Sequence, residues 1–194
     1  MSIICYYFRT TQAALGVLSE DPEAIFGDLT DLPPGSEVID IDRAYDGLGW
    51  LVSPLRRAEA AHAIRLIREP DWPNAEARAS VARLNAMVVD DALTAIEGRS
   101  EERFDAIDLG LGGAALFEPD VVRRLSLVLA GIDEATLRER ADFRAMDEDD
   151  VMPGNWQEEG EDIFETYLVP ALERLKAFYA AAAESGQIVL VMWS

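Results

Sequence analysis

The sequence predicts an α+β fold: one helix-rich domain, residues 1–194, with a small mixed sheet that contains the N- and C-terminal strands and is covered by helices. Three observations carry this. Residues 3–8 (Ile-Ile-Cys-Tyr-Tyr-Phe) and 187–193 (Gln-Ile-Val-Leu-Val-Met-Trp) are apolar on both alternating faces, the pattern of strands buried from both sides. The chain between them carries apolar residues mostly at helical spacing, and helices on both faces are what such a sheet needs. At 194 residues, with 49% hydrophobic and 28% charged side chains, the chain suits a single domain burying roughly 70% of the surface it would expose unfolded.

The elements follow in chain order. Thr10 or Thr11 caps a first helix to about residue 19, and Asp21-Pro22 offers a cap and a first-turn proline for a short second one. Leu32-Pro33-Pro34-Gly35-Ser36 breaks regular structure, after which residues 37–41 read as extended. Asp42 is placed to cap a helix carrying Tyr45, Leu48, Leu51 and Val52, with Asp46 solvated on it. Residues 54–68 are Ala- and Arg-rich and helical. A long helix is expected from Asn74 to Glu97, with Val81, Leu84, Val88 and Ala92 as its buried stripe and Gly98 as its stop. Residues 104–111 read as extended, and Pro119 opens a helix that Gly131 ends. Asp133 caps a short turn, Pro153-Gly154 fits a type II turn, and a last helix over residues 161–184 should kink at Pro170. No fixed-period repeat and no low-complexity linker divides the chain.

Charge is the unusual property. Thirty-seven acids against seventeen bases give −20, which makes nucleic acid and anionic membranes improbable partners. The excess sits in two windows. Residues 20–46 hold nine acids and one base, residues 142–165 ten acids and one base, and the remainder of the chain is only −3. One cysteine, Cys5, excludes an internal disulfide and suits a reducing compartment. The opening residues show neither a basic leader nor an apolar stretch long enough for a signal or a membrane span, so a cytoplasmic protein is expected.

Motifs for chemistry are weak. Gly110-Leu111-Gly112-Gly113-Ala114-Ala115 matches G-x-G-x-x-A, but the next helix signal, Pro119, comes too late for backbone donors to face a pyrophosphate. No Gly-Lys-Ser/Thr exists to form a P-loop, since the sole lysine is Lys176. Asp40, Asp42 and Asp46 miss the calcium-loop spacing because Ala44 occupies the fifth position. Paired carboxylates from the two windows remain an alternative divalent-ion or small-ligand site. His62, with Glu59 one turn earlier, reads as a helix-surface residue, and Cys5 as a small core residue. No catalytic residue, metal ligand or cofactor is assigned. Trp156, between Asp147-Glu148-Asp149-Asp150 and the 158–162 acids, is either a binding hot spot or, the stronger reading, a tryptophan pinning a loop to the core.

Val38-Ile39-Asp40-Ile41-Asp42-Arg43-Ala44-Tyr45-Asp46-Gly47-Leu48, Gly112-Gly113 ahead of a helix-leading proline, and Met152-Pro153-Gly154-Asn155-Trp156 before a long helix and a last strand resemble the YfbM-like bacterial family, domain of unknown function 1877. The resemblance spans nearly the whole chain. It implies a compact α+β bacterial protein of cytoplasmic type and carries over no catalytic residue. Gly49-Trp50 and Val151-Met152 depart from the histidine and tyrosine common at those places in relatives, which argues against chemistry there. Likeness to proteins found near toxin systems implies an immunity-like role by analogy. The function expected is therefore a non-enzymatic module binding a basic protein partner through Asp40, Asp42, Asp46, Asp147, Glu148, Asp149, Asp150 and Trp156.

Overall fold

A computed structural model describes residues 3–18, 20, 32–108 and 112–193, and the short helix expected at Asp21-Pro22 lies outside them. The described elements run β1 (Cys5–Thr10), α1 (Gln12–Leu18), β2 (Glu37–Asp40), α2 (Ala44–Val52), α3 (Pro54–Arg68), α4 (Asn74–Asn85), α5 (Asp91–Glu97), β3 (Arg103–Asp108), β4 (Gly113–Phe117), α6 (Pro119–Ala130), α7 (Glu134–Arg140), α8 (Phe143–Glu148), α9 (Trp156–Ile163), a wide turn (Phe164–Leu168), α10 (Val169–Glu184) and β5 (Ile188–Trp193).

The five strands form one sheet in the order β2-β1-β5-β4-β3. Every described pairing is antiparallel, where a mixed sheet was expected. The two terminal strands lie side by side at its middle, with Cys5 opposite Trp193 and Thr10 opposite Ile188. Alternation then sorts their side chains. Cys5, Tyr7, Val189 and Val191 join the main core with α2, α5, α6 and α10, while Phe8, Ile188, Leu190 and Met192 pack on the other face with Leu15 of α1. Buried phenols fasten α5 to this layer: Tyr7 donates to the carbonyl of Ile96, and Tyr179 to that of Ala95 at 3.1 Å. Gly98 ends α5 at φ +63, and a Cβ there would lie 2.8 Å from Val191, so both backbone and packing demand glycine.

Three helix expectations change. The helix expected over residues 74–97 is two, because Asp90 caps a new one by accepting from the Leu93 N–H at 2.8 Å. Val81 and Val88, read as buried, are 43% and 84% exposed, so helical spacing there does not mark a core face. The last helix begins earlier, at Trp156, and meets Pro170 through a wide turn in which the Val169 N–H bonds to Phe164, five residues back. That wide turn lies immediately before the proline, where a kink was expected. Among the described residues no helix is long and apolar enough to cross a membrane.

Candidate functional site

The two acidic windows meet. β2 delivers Asp40 and Asp42 to the start of α2, where Asp42 adopts a left-handed backbone, φ +48, and caps nothing. The N-cap position belongs to Arg43, without a side-chain bond. Asp42 instead accepts from the Tyr167 hydroxyl at 2.9 Å, and that hydroxyl accepts from the Arg43 N–H at 2.9 Å. Partial burial and the neighbouring Asp42 carboxylate push the Tyr167 phenol up to about 12, so it stays a neutral donor at ordinary pH. A shallow cavity of about 290 Å³ opens beside this pair, lined by Asp42, Arg43, Pro153, Asp162, Thr166 and Tyr167 among others.

One helical turn on, Asp46 points inward and is 5% exposed, which corrects its reading as a solvated residue. The reason is a partner supplied by another helix: Arg56 of α3 pairs with one oxygen, and the Met152 N–H donates to the other at 2.9 Å. Arg56 Nε also lies 3.1 Å from Glu97 Oε1, and Arg99 donates to Glu97 Oε2 at 2.7–2.8 Å and to Glu59 at 2.6 Å. Asp46, Arg56, Glu97, Arg99 and Glu59 thus form one ionic chain across α2, α3 and α5.

In the second window Asp147 faces the start of α9 and accepts from the Trp156 and Gln157 N–H groups, each at 2.8 Å. Partial burial would raise its pKa, and these backbone donors outweigh it, holding the carboxyl below the usual range. Asp149 accepts from Trp50 Nε1 at 2.8 Å. Trp156 is wholly buried, stacked on Phe143 at 6.2 Å with Nε1 donating to the Val151 carbonyl at 2.7 Å. It pins the loop to the core and presents no surface to a partner. The Pro153-Gly154 turn runs through a cis Met152–Pro153 peptide, with Gly154 and Asn155 both at positive φ. Of the sequence-assigned residues, Asp40, Asp42, Glu148 and Asp150 are exposed, Asp147 and Asp149 are half-buried, and Asp46 and Trp156 are buried.

The sequence model of domain of unknown function 1877 matches residues 1–192. The chain belongs to the DUF1877 family. A solved structure, that of the Escherichia coli protein of unknown function YfbM, is similar in fold, with a TM-score of 0.58 at 17% identity, covering 97% of this chain and 98% of that one. No curated protein matches.

In this DUF1877 chain the remaining motifs take structural roles. Gly112 and Gly113 lead into β4, which pairs back on β3, and the following helix opens at Pro119. His62 faces Ser80 across the α3–α4 pair, Nδ1 to Oγ 2.9 Å, and not Glu59, which Arg99 holds. Cys5 is buried, and desolvation pushes its thiol far above the usual range. Among the described residues no group of three or more His, Cys, Asp or Glu is arranged to hold a metal ion. Sequence reading missed Glu97 and Tyr167. Neither stands in a motif, and both gain their partners from elements distant in the chain.

Proposed function

We propose that the protein is a non-enzymatic, cytoplasmic binding module whose acidic face engages a basic protein partner, as an immunity protein engages a basic toxin. The observation that supports this reading is how the carboxylates divide. Asp46, Asp147 and Asp149 are spent inward on Arg56, on backbone N–H groups and on Trp50. Asp42 and Asp162 are exposed, have no ion-pair partner among the described residues, and line one cavity where the two windows join, two carboxylates to the single cation Arg43. A cavity of about 290 Å³ accepts the head of one long side chain, not a large ligand. Glu158 and Glu159 are exposed in the first turn of α9, one helical turn before Asp162. An arginine or lysine entering the cavity gains charge-assisted bonds to carboxylates that need no rearrangement.

A nona-arginine peptide serves as probe in titration calorimetry. The paired change Asp42→Asn with Asp162→Asn is expected to weaken binding about tenfold, while Glu101→Gln with Glu184→Gln leaves it within about twofold. Binding should also weaken between about 50 and about 200 mM salt. No binding by the unmodified protein, or equal loss in both double variants, overturns the reading.

A further inference from the structure

α4 buries none of its residues and, among the described elements, packs substantially on α3 alone. The two helices meet through matched stripes. α3 offers Ala58, Ala61, His62 and Arg65. Ser80, Arg83 and Leu84 of α4 answer them, with Met87 just past the helix end, and both sets keep the i, i+3, i+4, i+7 spacing of one helix face. Ala58 and Ala61 put little bulk into the seam, so the stripes do not close on one another and a cavity of about 350 Å³ remains between them. Trp72, buried in the turn that joins the helices, forms a further wall, with Arg65 lying 4.1 Å over its ring.

The lining of this cavity is opposite in character to that of the cavity at Asp42. No carboxylate lines it, in a chain with thirty-seven acids. Arg65 is already engaged by Glu69 at 2.9 Å and Glu76 at 3.7 Å, neither of which reaches the cavity. Arg83 is exposed and has no ion-pair partner among the described residues. His62 meets Ser80 Oγ through Nδ1 at 2.9 Å, which leaves its Nε2 without a partner among the described residues. A free guanidinium and an imidazole nitrogen thus border a space walled by the hydrocarbon of Ala58, Ala61, Leu84 and Met87, and its volume is within the range of small-molecule sites. The wider field agrees. Residues 61–89 carry four arginines and three acids, a net of +1, while the rest of the chain carries −21, so an anion is repelled least here. The apolar walls favour an anion with a hydrocarbon body over a bare inorganic one, whose hydration they cannot replace.

We propose that the α3–α4 seam is a binding site for a small organic acid, its carboxylate on Arg83 and its apolar body lodged between the alanines of α3 and Leu84 and Met87. In an NMR titration of isotope-labelled protein, naphthoate is expected to bind with a dissociation constant below about 1 mM and to move the amide signals of residues 58–65 and 80–87. Hydrogen exchange in α4 should slow at the same time, because a ligand bridging the stripes fastens that helix to α3. Arg83→Gln, at an exposed position, should weaken binding about tenfold through loss of one charge-assisted bond, and neutral naphthylmethanol should bind the unmodified protein about tenfold more weakly than naphthoate for the same reason. Ala58→Leu, with circular dichroism unchanged, should abolish binding by filling the cavity, while Asp42→Asn with Asp162→Asn leaves it unaltered. No saturation below about 5 mM, signals that move elsewhere than these stripes, an affinity insensitive to Arg83→Gln or to Ala58→Leu, or inorganic phosphate binding as tightly as naphthoate overturns the proposal.

Discussion

Glu97 is the carboxylate held least comfortably. It is 8% exposed, and its Oε1 has no hydrogen-bond partner: Arg56 Nε lies 3.1 Å away but out of line, so this oxygen is held by charge alone. A Cβ on Gly49 would come within 2.7 Å of it, which is why α2 carries a glycine at a position that costs helix propensity. Burial raises the Glu97 carboxyl above its ordinary 4.5, and Arg99 and Arg56 offset only part of that. A folded-state pKa above the unfolded one gives a contribution to stability that is full at low pH and is lost as pH rises through the folded value. Urea unfolding from pH 4.5 upward should therefore show the unmodified protein losing stability relative to Glu97→Gln; parallel curves for the two would refute the assignment. None of this was legible in the sequence. Asp46 and Glu97 look like two acids among thirty-seven until the fold sets Arg56 between them and Arg99 between Glu97 and Glu59. Trp156 was legible, because an indole within acidic, Pro-Gly-rich sequence has few ways to be satisfied except by burial with its N–H on a carbonyl.

At the scale of elements, α9 starts in an unusual way. Asn155 occupies its N-cap position with a left-handed backbone, φ +64, and its side chain does not cap. The task falls to Asp147 from α8, which takes the first two free N–H groups. Asp147→Ala should cost about 1–2 kcal/mol in chemical denaturation, and Asp147→Asn less, since an amide oxygen still accepts. A cost under about 0.3 kcal/mol for the alanine would remove Asp147 from this role. The elements show where pattern reading succeeds. β1 and β5 were readable because a continuous apolar run has one stable environment, the middle of a covered sheet. The α4–α5 boundary was not, because Asp90 in the middle of a helical pattern looks like an exposed residue until its oxygen is seen to accept from Leu93. The expected kink at Pro170 was half readable. Proline removes a donor wherever it stands, but how the preceding turn adjusts depends on what packs there.

For the whole molecule, the net charge of −20 sets one further expectation. Ion pairs such as those of Arg138 with Glu134, Glu161 and Glu165 are largely exposed, and such pairs contribute little each. Self-repulsion summed over the surface outweighs them, so screening should stabilise the fold. Raising sodium chloride from about 20 to about 300 mM should lift Tm by about 3 °C, and a fall would mean that the ionic chain at Glu97 dominates.

The placement of β5 carries a consequence for folding itself. The last strand in the chain lies at the centre of the sheet, and its pairing with β1 joins residues as distant as Cys5 and Trp193. β1 and β2 lie on one side of β5, and β4 and β3 on the other. The two halves remain separate ribbons until residues 188–193 arrive between them. Closing a loop of that length is slow and its entropic cost comes before its contacts form, so the pace of folding is set by when residues 188–193 enter the sheet.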